Sequence, residues 1–316
     1  MKLSGKIFFV IIITICFYAV FLIFSDISQI LDKITNFNLQ YLPLILIIIP
    51  ISWFLLFVRW HLLLKSVGLQ IPLKQNMIIY FAGFALAVTP GKFGELVKSQ
   101  LMKKQFDVPR TTTAPLVLVE RFYDLVGGVA VAIIGIWSLG LGVYVIIGAS
   151  IVLTLIFLLL RSKKLFDKFL KLFGKTKITS KFVEPLSQSY DSIQKSTRGK
   201  IVIFSSVLTM VYWLVESIGV YLIVISFGIN ELSYYTVMST YASSLILGAA
   251  SFIPGGIGIT EGSMTGLFSF QGVEISLAFA LVVIIRLFTI WYSVIVGFIS
   301  LKLSGGFSMF LNSEKI

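Results

Sequence analysis

A small set of charged residues stands inside apolar stretches of this chain. Glu95 lies in "TPGKFGELVK" (89–98), and Glu120, Arg121 and Asp124 in "VERFYDLVGG" (119–128). Glu261 lies in "IPGGIGITEG" (253–262), Arg286 in "VVIIRLFTIW", and Glu216 in another apolar run. Ionisable groups at such positions are costly and point to function. Arginine's planar fork suits bidentate binding of phosphate, while a buried carboxylate can touch a head group or carry a proton. Glu95 and Glu261 each follow a Pro-Gly break and a glycine, near the expected start of a short helix whose dipole favours a carboxylate. The competing reading is that each glutamate caps its own helix or pairs with a lysine, and that the arginines only join helices. Glu120 and Asp124 share one helical face with Arg121 beside them. Arg286 has no acid nearby in sequence, so a long-range pair with Glu120, Asp124 or Glu216 is expected. Glu95, Arg121, Glu261 and Arg286 are therefore candidate substrate contacts, and Glu120, Asp124 and Glu216 their counterions.

The elements that position these groups depend on the solvent. Of 316 residues 57% are hydrophobic and 13% charged, and the mean hydropathy is +0.98. This composition defines an integral membrane protein, with apolar runs approaching the roughly 20 residues that span about 30 Å of hydrocarbon as helix. The runs are continuous rather than alternating, which excludes an outer-membrane barrel. Residues 7–24 follow Lys2 and Lys6 like a secretory signal, but the core is long and no small-residue cleavage site follows, so they read as a retained first helix. A single cysteine, Cys16, excludes an internal disulfide, and a single histidine, His61, argues against zinc. His61 reads as an interfacial anchor beside Arg59 and Trp60. "PGKFGE" lacks the flanking glycine and hydroxyl of a nucleotide-phosphate loop. No metal or cofactor is expected.

The net charge of +12 reads as topology rather than as nucleic-acid binding. Lys and Arg gather at 2–6, 59–74, 92–110, 161–200 and 302–315, whereas 25–40, 138–142 and 228–233 contain only Lys33. The positive-inside rule makes the first set cytoplasmic. Crossings are then expected near 7–24, 41–60, 113–137, 141–160, 200–226 and 275–301, with both termini cytoplasmic. Two apolar stretches remain, 76–89 and 234–253, each ending at a break built from Pro90, Gly91 and Gly94 or from Pro254, Gly255, Gly256 and Gly258. Each begins and ends on one side, as a re-entrant hairpin does, and broken backbone at that depth must be buried in protein or line a wet cavity.

The halves repeat each other. Trp53 matches Trp213, Gly68 matches Gly228 and Phe81-Ala82 match Tyr241-Ala242 at one spacing; Pro90 matches Pro254, and Arg121 matches Arg286, at slightly longer ones. The expected fold is thus all-α: a polytopic membrane protein of about six transmembrane helices plus two re-entrant hairpins in an inverted repeat, an architecture that places transporter sites at the midplane. Residues 1–316 form one membrane domain, with a first repeat at about 41–137 and a second at about 200–301. A basic linker at 161–199 joins them. In it Phe166, Phe169, Leu170 and Phe173 recur at helical spacing against a lysine face, as in a helix lying on the inner leaflet, where it would gather anionic lipid.

Three motifs, "PGKFGELVK" (90–98), "VERFYD" (119–124) and "PGGIGITEG" (254–262), carry a resemblance over nearly the whole chain. It resembles the transmembrane region of lysylphosphatidylglycerol synthase and its flippase-like relatives. The resemblance implies movement of a phospholipid or lipid-linked glycan between leaflets. Where family members commonly have arginine this chain has Lys98, which keeps it a candidate phosphate contact but puts bidentate contact there in question. No counterpart of the soluble aminoacyl-transferase domain of some relatives is expected after Ile316, so synthase activity is not carried over. The reading is a non-enzymatic lipid flippase or scramblase of the cell membrane, with membrane lipids as partners, no nucleic acid, and a homo-oligomer possible in principle. The alternatives are a membrane-embedded glycosyltransferase or its accessory acting on polyprenyl-phosphate lipids, and a small-solute carrier.

Overall fold

The structure, a computed structural model, describes residues 37–135, 142–175, 180 and 183–306. The expected first crossing at 7–24, Cys16 and the basic tail beyond 306 lie outside the described residues. Helix α1 (Leu42–Ser66) starts with a proline in its first turn and contains Pro50. At about 1.5 Å per residue it is long enough to cross hydrocarbon. It runs past the expected end at residue 60, because Leu62, Leu63 and Leu64 continue the apolar run after Arg59. Helix α2 (Leu73–Ala82) continues through a 3-10 turn (Gly83–Leu86) to the first break (Pro90–Leu96), and α3 (Val97–Phe106) returns. Helix α4 (Arg110–Gly135) carries the "VERFYD" motif.

After α5 (Gly142–Arg161), α6 (Lys163–Phe173) and α7 (Val183–Ser196), the second half repeats the pattern. Helix α8 (Lys200–Ser226) corresponds to α1, and α9 (Tyr234–Ala250) leads to the second break (Pro254–Gly256). Helix α10 (Ile259–Phe270) returns. The last long helix comprises α11 (Ile275–Arg286), a π-turn (Leu287–Trp291) and α12 (Tyr292–Leu303). Leu39–Ser66, Lys200–Ser226 and Ile275–Leu303 are helical, long and apolar enough to cross a membrane.

Antiparallel packing of equivalent helices makes the repeat an inverted one. The Asn38 amide, just before α1, donates to the Ser226 carbonyl at the end of α8 (2.8 Å). Farther along, Gly219 faces Ile49, and Arg59 donates to the Thr209 hydroxyl (2.7 Å). Residue numbers rise on α1 as they fall on α8. The hairpin arms are exchanged between halves: α2 and its 3-10 turn pack on α12, and α9 packs on α4. The tryptophans follow the same symmetry. Trp53 stands edge-on to Phe84 and Tyr292, while Trp213 stands edge-on to Tyr241 and donates to the Asp124 carbonyl (3.1 Å).

Apolar and charged residues divide as lipid solvent requires. Leu44, Ile47, Ile51 and Phe54 on α1, Ile203, Phe204 and Val207 on α8, and Ile295 and Ile299 on α12 face outward, whereas Arg59, Lys98, Glu120, Glu261 and Arg286 are buried. The basic linker differs from the expectation of one helix with a single lipid-facing side. Phe166 and Leu170 are buried in the protein, with Phe166 against Tyr190 of α7 (ring centroids 4.8 Å apart). Among the described apolar residues of the linker, Leu165, Phe169 and Leu172 remain exposed. Tyr190 in turn donates to the Arg161 carbonyl (3.1 Å), so α7 competes with the membrane for part of the apolar stripe.

Candidate functional site

The two breaks meet. A side chain on Gly255 would press on Val88, and one on Gly91 would touch Phe252. Val88, Ile257 and Val294 form a small apolar cluster at the junction. Gly91 (φ 56°) and Gly255 (φ 61°) both sit in the left-handed region that glycine adopts without steric cost. Pro90 and Pro254 begin the tight turns where a missing N–H leaves no orphaned donor.

Each tip delivers its glutamate to the arginine of its own half. In the first, Arg121 donates to Glu95 Oε2 at 3.0 Å. In the second, Arg286 Nε donates to Glu261 Oε1 at 2.8 Å, with another guanidinium nitrogen on the Gly255 carbonyl of the turn itself. Glu261 also accepts from the Gly258 amide at 2.7 Å, capping α10. Arg286 thus pairs with Glu261 rather than with Glu120, Asp124 or Glu216, because the hairpin folds its glutamate back onto the helix that follows. The π-turn begins directly after Arg286, a feature often found at functional positions.

The first half builds a larger network. Lys98 Nζ donates to Glu95 Oε2 (3.0 Å) and Glu120 Oε2 (2.6 Å), and lies 4.7 Å and 4.9 Å from the ring centroids of Trp60 and Tyr80. The aromatic faces supply attraction where water is excluded. Asp124 bridges Arg59 (2.7 Å) and Arg121 (2.9 Å), and Glu120 stands 3.7 Å from Arg59. Arg59, Lys98 and Arg121 therefore balance Glu95, Glu120 and Asp124, and this balance lets so many charges stay buried.

Access is uneven. Glu95, Lys98, Glu120, Glu261 and Arg286 are buried at 2% exposure or less, so both glutamates cap or pair within the protein as the structural alternative proposed. The Arg121 and Asp124 side chains keep 22% and 19% exposure, although the Arg121 Nε is itself buried and has no hydrogen-bond partner among the described residues. Lys92, on the first tip, is exposed in a left-handed conformation (φ 56°) unusual for a residue with a side chain. Its ammonium lies within electrostatic reach of Arg121, Glu95, Asp124 and Glu216. The contactable part of the site is thus Lys92, Arg121 and Asp124, whereas Arg286 is closed off. Among the described residues no group of three His, Cys, Asp or Glu side chains stands together to hold a metal.

Two members are not among the sequence-derived candidates. In the sequence Arg59 reads as part of a cytoplasmic charge cluster, although the leucines after it mark the helix as continuing. Lys92 carries no signal beyond its place beside Gly91. His61, at 2.9 Å from the Asn76 side-chain amide, takes no part in the ion-pair network.

An all-α body with an apolar exterior, two broken hairpins joined at their tips and an ion-paired interior defines a membrane protein of the inverted-repeat kind. Its sequence places it in a family: residues 8–297 match the lysylphosphatidylglycerol synthase TM region, and the chain belongs to that family. It is similar to a UPF0104 membrane protein of Pyrococcus horikoshii, 24% identical over 92% of this chain and 95% of that one. It is also similar to one of Methanocaldococcus jannaschii, 26% identical over 68% of this chain and 91% of that one.

Proposed function

We propose that this chain moves an anionic lipid, a phospholipid or lipid-linked glycan, between leaflets of the cell membrane as a flippase or scramblase. The observation that carries the reading is that Lys92, exposed and in no ion pair among the described residues, and the partly exposed Arg121 are both cations of the half whose hairpin tip meets the other tip. Two cations of this kind suit a phosphate. The matched Arg121–Glu95 and Arg286–Glu261 pairs offer equivalent anchoring on the two sides of a pseudo-twofold axis, which a path open alternately to each leaflet requires. Lys98, Glu95, Glu261 and Arg286 are gate pairs in this scheme. They come into contact with the head group only when a hairpin shifts and its ion pair opens. The protein is multi-pass, with cytoplasmic termini set by the basic segments, and performs transport rather than synthesis. The family name, which contains a phospholipid, supports lipid as the substrate class.

Reconstitution into liposomes with a fluorescent phospholipid and a membrane-impermeant quencher tests this. Quenching beyond the outer-leaflet fraction is expected in proteoliposomes, and none beyond that of protein-free liposomes would refute the proposal.

A further inference from the structure

The ion pairs of the first half close on themselves. From Arg59 the contacts run to Asp124 (2.7 Å), Arg121 (2.9 Å), Glu95 (3.0 Å), Lys98 (3.0 Å) and Glu120 (2.6 Å), and Glu120 returns to Arg59 at 3.7 Å. Cations and carboxylates alternate around this circuit, so each charge has an opposite on either side, and the loss of one link leaves no member without a partner. The circuit opens at the Arg121–Asp124 edge, where the side chains keep 22% and 19% exposure against 3% or less for the rest. Asp124 divides its oxygens there, Oδ1 on Arg59 and Oδ2 on Arg121.

Arg59 holds donors in reserve. Its Nη1 donates to Asp124 and to the Thr209 hydroxyl, each at 2.7 Å. That hydroxyl donates in turn to the Ser205 carbonyl (2.7 Å), which ties the guanidinium to α8. The Arg59 Nε and Nη2 are buried with no hydrogen-bond partner among the described residues, a costly state away from water. A guanidinium so placed can take both oxygens of one carboxylate, the bidentate geometry that arginine favours. The sequence of the second half carries no such reserve. Thr289 stands three residues after Arg286, as Asp124 does after Arg121, and Gly219 holds the place of Arg59 at the spacing that matches Trp53 to Trp213.

We propose that Arg59 is a positioning residue for anion binding, which takes Asp124 off Arg121 when a phosphate arrives; the inference rests on the phosphate-lipid reading above. The phosphate replaces Asp124 Oδ2 on Arg121 at the exposed edge. Asp124 turns about its own side-chain bonds and gives that oxygen to Arg59, so the carboxylate is never left without a cation, a loss that is strongly destabilising inside a protein. Glu95 stays on Lys98 and Arg121. No proton moves and no covalent bond changes, and departure of the head group returns Asp124 to Arg121.

The test reads binding to the full chain in maltoside detergent and phosphate-free buffer, with fluorescent phosphatidylglycerol as the probe and a labelled diacylglycerol as the control without phosphate. Asp124→Asn removes the competitor for Arg121 and should tighten phosphatidylglycerol binding about fivefold or more, within the usual range of coupling between sites. A merely structural Asp124 predicts the reverse, because Arg121 would lose its support. Arg59→Gln should weaken binding by a similar factor, since Asp124 then has only Arg121 to hold. The charge-balanced double variant, Arg59→Gln with Asp124→Asn, should bind as tightly as Asp124→Asn alone, because Arg59 acts only through Asp124. An Asp124→Asn protein that folds, by its size-exclusion profile, yet binds no tighter than wild type overturns the proposal, as does a double variant much weaker than Asp124→Asn. These two proteins decide the matter even if Arg59→Gln alone does not fold. Equal binding of both probes by wild type would overturn this proposal and the phosphate reading together. Failure of the transport reading alone looks different: the same order of affinities would persist without leaflet exchange.

Discussion

Arg286 Nε meets Glu261 Oε1 at 2.8 Å, at the position in the second half that Arg121 and Glu95 hold in the first at 3.0 Å. Both arginines lie on the long helix that follows a hairpin, and both glutamates lie just past its break. The second pair is the more closed, with 1% exposure on each side chain. The first shares its members with Lys98 and Asp124.

Removing one member of the closed pair leaves an uncompensated buried charge, at a cost of about 3–5 kcal/mol. Arg286→Ala should therefore lower the thermal unfolding midpoint in detergent markedly. Glu261→Gln should cost less, since the amide oxygen can still accept from the Gly258 amide. Adding Glu261→Gln to Arg286→Ala should recover much of the loss. Equal midpoints for Arg286→Ala and wild type would mean the pair is not closed in solution.

Gly297 brings α12 against the backbone of Phe84 and Ala85, where an added Cβ would collide with main-chain atoms that cannot turn aside. Gly297→Ala should destabilise by about 1–3 kcal/mol through overpacking, read as a lower unfolding midpoint. Gly148→Ala, which meets nothing nearby, should leave it unchanged or slightly raised. The same midpoint for both variants would contradict the close seating of the first hairpin on α12.

Much of this was legible from the order of residues because lipid imposes simple rules. Continuous apolar runs had to be helices, the Pro-Gly breaks had to interrupt them, and α8 matches its expected bounds at 200–226. The matched residues Gly68 and Gly228 both end a long helix in the left-handed region (φ 83° and 78°). What could not be read was pairing across the fold. Arg286 has no acid within a helical turn, and only the return of α10 brings Glu261 to it. Arg59 looked like a flank because a charge cluster followed, yet its partners Asp124 and Thr209 sit on helices distant in sequence. The linker split between protein and lipid because the tyrosine of α7 that covers Phe166 belongs to a different helix.

Opposed entry of the hairpins can be checked by labelling. In a Cys16→Ser background, single cysteines at Gln75, Gln105, Asn230 and Gly272 occupy exposed positions. Gln105 donates to the Ser304 carbonyl after α12 (2.8 Å), which sets the end of the first hairpin beside the basic C-terminal end. Positions 75 and 105 should react with an impermeant thiol reagent from the cytoplasmic side, and 230 and 272 from outside. Labelling of 75 and 105 from opposite sides would make the first hairpin a crossing.

Leaflet exchange resolved by head group tests the central claim most directly. Proteoliposomes would receive, in parallel, labelled phosphatidylglycerol and a labelled diacylglycerol analogue bearing an uncharged polymer head group, so that only one probe offers a phosphate. Initial rates would be compared for wild type, Lys92→Gln and Arg121→Gln, each first checked for folding. Transport through the Lys92–Arg121 site predicts protein-dependent exchange of phosphatidylglycerol alone, reduced about tenfold or more in either variant, the loss that about 1.4 kcal/mol of phosphate contact represents. Exchange at the protein-free rate, or equal acceleration of both probes that the variants leave untouched, would contradict it.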